Sequence, residues 1–375
     1  MNVLLLFTAI FSFLLGGAAV YLFAPKRRRF HRRPAARHRI ISNALEYRLS
    51  MGPRIVAIGG GTGLSTLLSG LKGFTRNITA VVAVTDEGGS SGRIRREWGM
   101  LPPGDIRNCI FALAENDSSL NALLNFRFDR GELAGHSLGN LILLAATELM
   151  GDFRRAVEEL NKLLAIRGQV LPVTVDNVTL KGETKEGKVV TGELEVSDNG
   201  SHLAKLWLEP LDASALDGVK KAITEAEIIV LGPGSLFTSV MPNLLLGDVA
   251  TLLRDSKVPI VYIANLMTQP KETDGMNIVA HIDWITGVIG CVPDFVLANQ
   301  GAIPPEFVKR YAEIGAEPLY LSAKEESYLD SLGTSVIFGD YCEIKNGKYL
   351  RHNAQHLSET IMDIIREIRR SAPSS

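Results

Sequence analysis

Four short stretches of this chain gather small, polar and charged residues in the pattern that anion and nucleotide sites need. The first is Gly59-Gly60-Gly61-Thr62-Gly63-Leu64-Ser65. Glycine lets a backbone approach an anion closely, and a helix starting here would add unpaired N–H groups and the positive end of its dipole. Leu64 stands where the G-x-G-x-x-G dinucleotide fingerprint requires glycine, and no Gly-Lys-Ser/Thr follows, so the loop is neither that fingerprint nor a Walker A loop. Alone it points to a phosphate or nucleotide, with a tight structural turn as the alternative. The second stretch is Thr85-Asp86-Glu87-Gly88-Gly89-Ser90-Ser91-Gly92-Arg93. An acid at this place could hold a ribose hydroxyl or coordinate Mg²⁺ beside a phosphate. Asp86, Glu87 and Arg93 set it apart from an ordinary surface turn.

The third stretch is Pro102-Pro103-Gly104-Asp105-Ile106-Arg107-Asn108. Asp105 is placed as a helix N-cap, which would put Arg107 and Asn108 in the first turn, facing a bound anion. Downstream, Gly135-His136-Ser137-Leu138-Gly139-Asn140 opens another helix; His136 is either an acid/base group or a structural hydrogen-bonding residue. The fourth stretch, Leu231-Gly232-Pro233-Gly234-Ser235-Leu236-Phe237-Thr238-Ser239, repeats the glycine device, and Asn265-Leu266-Met267-Thr268-Gln269 offers amides and a hydroxyl. Two separated glycine loops suggest a ligand with two anchoring points. No Ser-His-Asp order, H-E-x-x-H motif or Cys-His pair can be assembled, so the pocket is rich in donors and poor in nucleophile–base pairs.

Loops of this kind need a scaffold that brings them to one edge. Apolar runs at 54–59, 78–84, 227–231, 259–264, 294–298 and 334–338 alternate with amphipathic stretches at 64–71, 105–115, 138–150 and 153–165. That alternation predicts an α/β fold, a parallel sheet with helices on both faces, whose ligands bind beyond the carboxyl ends of the strands. Residues 169–210 break the pattern with alternating Val, Thr and Leu and two turn-like breaks, and read as an inserted β-hairpin arm. The arm is either an oligomer contact or a peripheral decoration, and the chain is expected to form a homo-oligomer. Residues 353–370 form an amphipathic helix whose Ile361, Ile364, Ile365 and Ile368 face the core.

The chain has 375 residues, 46% of them hydrophobic and 22% charged, which excludes a disordered or fibrous protein. Cys109, Cys291 and Cys342 are odd in number and far apart, against a disulfide scaffold or zinc ribbon. The net charge of −1 is a cancellation. Residues 3–24 carry no charge and are long enough to cross a bilayer, and eight basic residues follow between Lys26 and Arg39. Without those eight the chain holds 32 basic against 41 acidic residues, or −9. Basic residues after rather than before the apolar run disfavour a cleaved signal peptide and place the remainder in the cytoplasm. The basic strip is expected to meet anionic lipid rather than nucleic acid. The expected organisation is a transmembrane anchor (1–25), a basic linker (26–52), the α/β body (53–370) and a disordered tail (371–375).

The stretches IVAIGGGTGLSTLLSGLK, TDEGGSSGRIR, LPPGDIRNCIFALA, GHSLGNLILLA, LGPGSLFTSVMPNLL and YIANLMTQPKETDGM, in this order, closely resemble the CofD-like superfamily and within it the gluconeogenesis factor (YvcK-like) branch. The resemblance runs from about Pro53 to His352. It implies a Rossmann-like fold and a cytoplasmic regulator that binds UDP-sugars such as UDP-N-acetylglucosamine and serves cell-wall precursor supply and cell shape during gluconeogenic growth. The neighbouring branch implies the alternative, a Mg²⁺-dependent transfer of 2-phospho-L-lactate to a deazaflavin. By resemblance, Gly59, Gly60, Gly61, Thr62 and Gly63 belong to the nucleotide-side loop, Asp86 and Asp105 to the superfamily's acidic positions, and Arg351 to the UDP-sugar site. Asp86-Glu87 departs from the usual pair of aspartates, which leaves the metal assignment to Asp86, Glu87 and Asp105 open. An NAD-dependent dehydrogenase ranks last, because Leu64 contradicts its fingerprint.

Overall fold

The computed structural model describes residues 44–115 and 122–371. The chain divides into two compact units, Met1–Arg48 and Leu49–Ser375. The expected transmembrane segment, most of the basic linker and the last four residues lie outside the described residues. Among the described residues no single helix is long and apolar enough to cross a membrane.

The second unit is built on β1 (Ile55–Gly59), β2 (Ile78–Val82), β3 (Gln169–Pro172), β7 (Ile228–Leu231), β8 (Ile260–Ile263), β9 (Phe295–Asn299) and β10 (Ser335–Gly339). These form one seven-stranded sheet in the order β10-β9-β8-β7-β1-β2-β3, with every pairing parallel. All residues of β1, β2, β7 and β8 are buried, which explains why these strands read as continuous apolar runs instead of alternating ones. Each fully buried Ile, Leu or Val contributes roughly 1.5–3 kcal/mol.

The flanking helices are α1 (Gly61–Leu71), α2 (Gly89–Trp98), α3 (Gly104–Leu113), α4 (Leu138–Met150), α5 (Phe153–Leu163), α6 (Glu193–Asn199), α7 (Asp217–Glu225), α8 (Gly247–Asp255), α9 (Ile278–Ile289), α10 (Pro305–Ala312), α11 (Ala323–Ser331) and α12 (Ala354–Ser371). A short turn of wide helix, Leu236–Val240, runs into the single turn Met241–Leu244. Helix α12 buries Leu357, Ile361, Ile364 and Ile365 as its pattern predicts. A Cβ on Gly70 of α1 would lie 2.3 Å from the Ala354 carbonyl, so α1 and α12 touch through backbone.

From β1 the chain builds outward through β2 to β3, then returns to lay β7 on the other side of β1 and continues to β10. The β1–β7 seam is therefore the switch point of the sheet, where open α/β folds leave a crevice at the carboxyl edge.

Residues 169–210 differ from the expected hairpin arm. Gln169–Pro172 pairs in parallel with β2 as the edge strand β3 of the main sheet, with three of its four residues buried. The rest is a three-stranded antiparallel sheet of β4 (Thr179–Thr184), β5 (Val189–Thr191) and β6 (Leu203–Glu209), ordered β5-β4-β6 and closed by α6. Val178, Leu180, Val190, Val196, Leu203, Leu206 and Leu208 join the main core, so this is a docked subdomain. Gly192, at φ +92°, ends β5, and Glu193 and Glu195 favour the positive end of the helix that follows. A last ribbon, β11 (Cys342–Lys345) against β12 (Tyr349–His352), precedes α12.

Candidate functional site

At the carboxyl ends of β1 and β7 lies a cleft of about 430 Å³. Its floor is Gly60, Gly61, Thr62 and Gly63; facing them are Gly234 and Ser235, and its outer wall holds Asn265, Met267, Thr268, Gln269 and Arg351. Strand β1 ends at Gly59, and Gly61 turns into α1 at φ +64°, a conformation natural to glycine. The N-cap of α1 is Gly60, which has no side chain to cap the helix; Asp105 takes the Gly61 N–H from behind, and the N–H groups of Thr62 and Gly63 are left for a ligand. A Cβ on Gly63 would lie 2.3 Å from the Pro233 carbonyl oxygen, so the two glycine loops meet backbone to backbone. The Asn243 amide ties them from below, donating to the carbonyls of Gly59 at 3.1 Å and Ser239 at 2.8 Å. Leu64 is fully buried on the inner face of α1, and Gly232 donates its N–H to the Ile58 carbonyl at 2.9 Å, so both support the loops from outside the cleft.

Arg351 reaches the cleft from β12, donating to its neighbour's carbonyl on Leu350 at 2.9 Å and lying 5.3 Å from the centre of the Tyr349 ring. The wall beside it is a small apolar cluster of Leu266, Met267, Ile303, Phe307, Ala316 and Leu350. Ser239, Tyr311, Ile314 and His352 also line the cleft. Ser239 closes the fourth glycine stretch and His352 follows Arg351, whereas Tyr311 and Ile314 lie on a segment that no glycine loop marks. Burial, reinforced by the nearby Arg351 charge, holds His352 down at about 4 despite its bond to the Ala264 carbonyl, so it is neutral at pH 7.

The second and third loops assemble behind the glycine floor. Asp105 is not the N-cap of α3: Pro103 holds that position and no side chain caps the helix. Its carboxylate instead accepts the Gly61 N–H, and a Cβ on Gly60 would lie 2.8 Å from its Oδ2. Burial, and then the charge of Asp86, raises Asp105 to about 7. Asp86 accepts the Gly88 N–H at 2.8 Å. Glu193 of α6, unmarked in the sequence, accepts the Glu87 N–H at 2.9 Å and bonds Asp86. Burial is the main cause that lifts it too to about 7. The subdomain thus contributes a carboxyl to this cluster.

Arg107 and Asn108 do not face the cleft. The Arg107 guanidinium donates to Ser137, to Asn140 at 2.9 Å and to Asn108 at 2.6 Å, tying α3 to α4. Asn140 in turn donates to Ser90 at 3.0 Å, and Ser90 is 3.0 Å from His136 Nδ1. Burial and the Arg93 charge lower His136, which keeps it neutral. Arg93 turns away to the Ala134 carbonyl at 2.7 Å. Ser91 is buried where a Cβ on Gly104 would meet it, and Gly89 is exposed at φ +44°. These residues brace the floor from behind.

A divalent cation fits this cluster poorly. Among the described residues no three His, Cys, Asp or Glu side chains are grouped to hold a metal. Asp86, Asp105 and Glu193 accept backbone N–H groups, and Asp86 and Glu193 bond each other, which calls for a shared proton. The expected metal role of Asp86, Glu87 and Asp105 therefore lacks a suitable donor set.

On the opposite side, Glu272 is only 2% exposed. It accepts the N–H of Phe237 at 3.0 Å, the N–H of Thr238, and bonds from the hydroxyls of Ser197 and Ser235. Burial raises it to about 7. Gln269 Nε2 donates to Ser235 Oγ at 2.7 Å. Helix α6 therefore reaches the second loop through Glu193, and through Ser197 it holds Glu272, which in turn bonds the fourth loop.

Residues 55–341 match the family model described as 2-phospho-L-lactate transferase CofD. The gluconeogenesis factor of Bacillus subtilis is 40% identical over 84% of this chain and 99% of its own length. That of Halalkalibacterium halodurans is 42% identical over 82% and 95%. The crystal structure of a UPF0052 family member from Bacillus halodurans superposes with a TM-score of 0.79 at 41% identity, covering 83% of this chain and 99% of that one.

Proposed function

The chain belongs to the gluconeogenesis factor branch of the CofD family, and on that premise we propose that its β1–β7 cleft binds a UDP-sugar, UDP-N-acetylglucosamine or a close relative. The observation that carries this reading is the meeting of two glycine loops across one cleft, with the α1 N–H groups of Thr62 and Gly63 on its floor and Arg351 on its wall. A diphosphate suits the helix terminus and the cation, and the cleft wall beyond them has room for polar groups of a nucleoside or sugar. The bound state would report nucleotide-sugar supply, making the protein a regulator of cell-wall precursors and cell shape during gluconeogenic growth. In this reading residues 3–24 anchor the body at the inner face of the cell membrane, with the basic strip on anionic lipid.

Titration calorimetry of the chain from Ser50 onward with UDP-N-acetylglucosamine tests the proposal, and absence of heat at millimolar ligand overturns it. The family model's own description favours a second reading, phospholactate transfer to a deazaflavin. GDP titrated alongside separates the two: the transferase reading requires guanosine nucleotide binding.

A further inference from the structure

The proton positions around Ser235 can be worked out from its partners. Glu272 receives two backbone N–H groups and two hydroxyls. An ionised carboxylate only accepts, so Ser235 must donate its one proton to Glu272. Ser235 Oγ can then only accept from Gln269, which forces the Gln269 NH₂ toward it, in agreement with the 2.7 Å contact from Nε2. The amide's other end is thereby fixed: Gln269 Oε1 is buried and has no hydrogen-bond partner among the described residues. An unpaired buried acceptor costs about 1–3 kcal/mol. Gln269 and Ser235 both line the cleft, so a ligand donor there relieves that cost once the side chain turns its closed-off oxygen toward the ligand.

We propose that the Ser235–Gln269 wall of the cleft reads a hydroxyl or N–H donor of the ligand, and that Glu272 is the positioning residue that sets this polarity. The inference rests on the nucleotide-sugar reading and deepens it. Both glycine loops look alike in sequence, yet they do different work: the Gly60–Gly63 floor offers N–H donors to an anion, whereas the Ser235 side offers acceptors. The ligand is thus held by its charge at one end and by its hydrogen-bond donors at the other. The donor is either on the sugar, as a hydroxyl or acetamido N–H, or on the base, as the uracil N–H that cytosine lacks.

Glu272→Gln places an NH₂ beside Ser235, lets the serine donate to Gln269, and turns the acceptor wall into a donor wall. Ser235→Ala breaks the same relay while leaving the backbone bonds of Glu272 in place, so it remains informative if the first variant folds poorly. At pH 8, UDP-N-acetylglucosamine, UDP and CDP are titrated into both variants and the unaltered chain. A sugar donor predicts that the preference for UDP-N-acetylglucosamine over UDP falls by roughly 5–10-fold, the scale of one neutral hydrogen bond, with UDP affinity held within about twofold. A base donor predicts that the preference for UDP over CDP falls instead. In the unaltered chain the affected preference should also decline from pH 8 to pH 6, as Glu272 takes up a proton, and stay flat in Glu272→Gln. Lys271 pairs with Asp198 at 3.0 Å, and Asp274 accepts the Lys271 N–H at 2.8 Å. Asp105 and Glu193 also titrate at about 7, but they lie behind the glycine floor under the diphosphate that all three ligands share, so they shift the three affinities together and leave the preference to Glu272. Equal weakening of all three ligands, or unchanged preferences in both variants, overturns the proposal. If the unaltered chain binds none of the three, the nucleotide-sugar reading itself falls and takes the proposal with it.

Discussion

Gly63→Ala tests whether the two glycine loops act as one binding surface. An added Cβ would sit 2.3 Å from the Pro233 oxygen, 2.7 Å from its carbonyl carbon and 3.1 Å from the Gly234 nitrogen, where ordinary contact begins at 3.4 Å. The neighbours are all backbone, so no side chain can swing aside, and the loops must part by roughly 1 Å. Overpacking of this size costs about 1–3 kcal/mol. For a body of roughly 330 residues, with an unfolding entropy of about 0.7 kcal/mol per kelvin, the Tm should drop by about 1.5–4 °C. A ligand bridging both loops would lose at least one charge-assisted hydrogen bond, about 1.5–3 kcal/mol, or roughly 10–150-fold in Kd. Scanning calorimetry and titration with UDP-N-acetylglucosamine measure the two effects separately. Gly247→Ala is the control, since nothing lies within 4 Å of its added Cβ. A Gly63→Ala protein that melts and binds like its parent would refute the close approach of the loops. A lowered Tm with unaltered affinity would refute the bridging ligand.

Arg351→Ala should weaken UDP-sugar binding by about 1.5–3 kcal/mol, and unchanged affinity in the same titration would return this arginine to the solvated surface. Asp105 is raised from its ordinary 3.8 to about 7, so the native state holds that proton more tightly than the unfolded chain, and its contribution to stability is lost as pH rises from about 4 through 7. Asp105→Asn should therefore be more stable than its parent at pH 8 and gain nothing at pH 4; a pH-independent difference in denaturant midpoints would contradict this. The full-length chain should sediment with membranes and resist alkaline carbonate extraction, and recovery in the soluble fraction would dismiss the anchor.

Much of this molecule was legible in its sequence. Four of the seven sheet strands, β1, β2, β7 and β8, are continuous apolar runs because a parallel strand buried on both faces has no polar side to show. The glycine loops were legible as well, since a backbone that must approach an anion or another backbone admits little else. The strand β3 was hidden, being four residues long and followed directly by alternating segments that look like a hairpin. The seats of Asp105 and Arg107 were misjudged for a different reason: a capping position and a first-turn cation are local expectations, and both side chains are claimed by partners far along the chain, Gly61 and Asn140.

Residue types and spacing alone determined the α/β class, the carboxyl-edge location of the loops and the splitting of a neutral charge sum into a basic strip and an acidic remainder. Tertiary structure alone decided that β1 and β7 are neighbours, which turns two similar loops into the two sides of one cleft. It also decided what each side offers. Glu193 and Glu272 carry no signal in the sequence, because an isolated glutamate is ordinarily a solvated surface residue. Burial changes that: once buried, each must find donors or keep its proton, and in doing so it fixes which way the surrounding hydrogen bonds point. Periodicity places backbone, but the direction of a proton depends on which groups the fold has closed off from water.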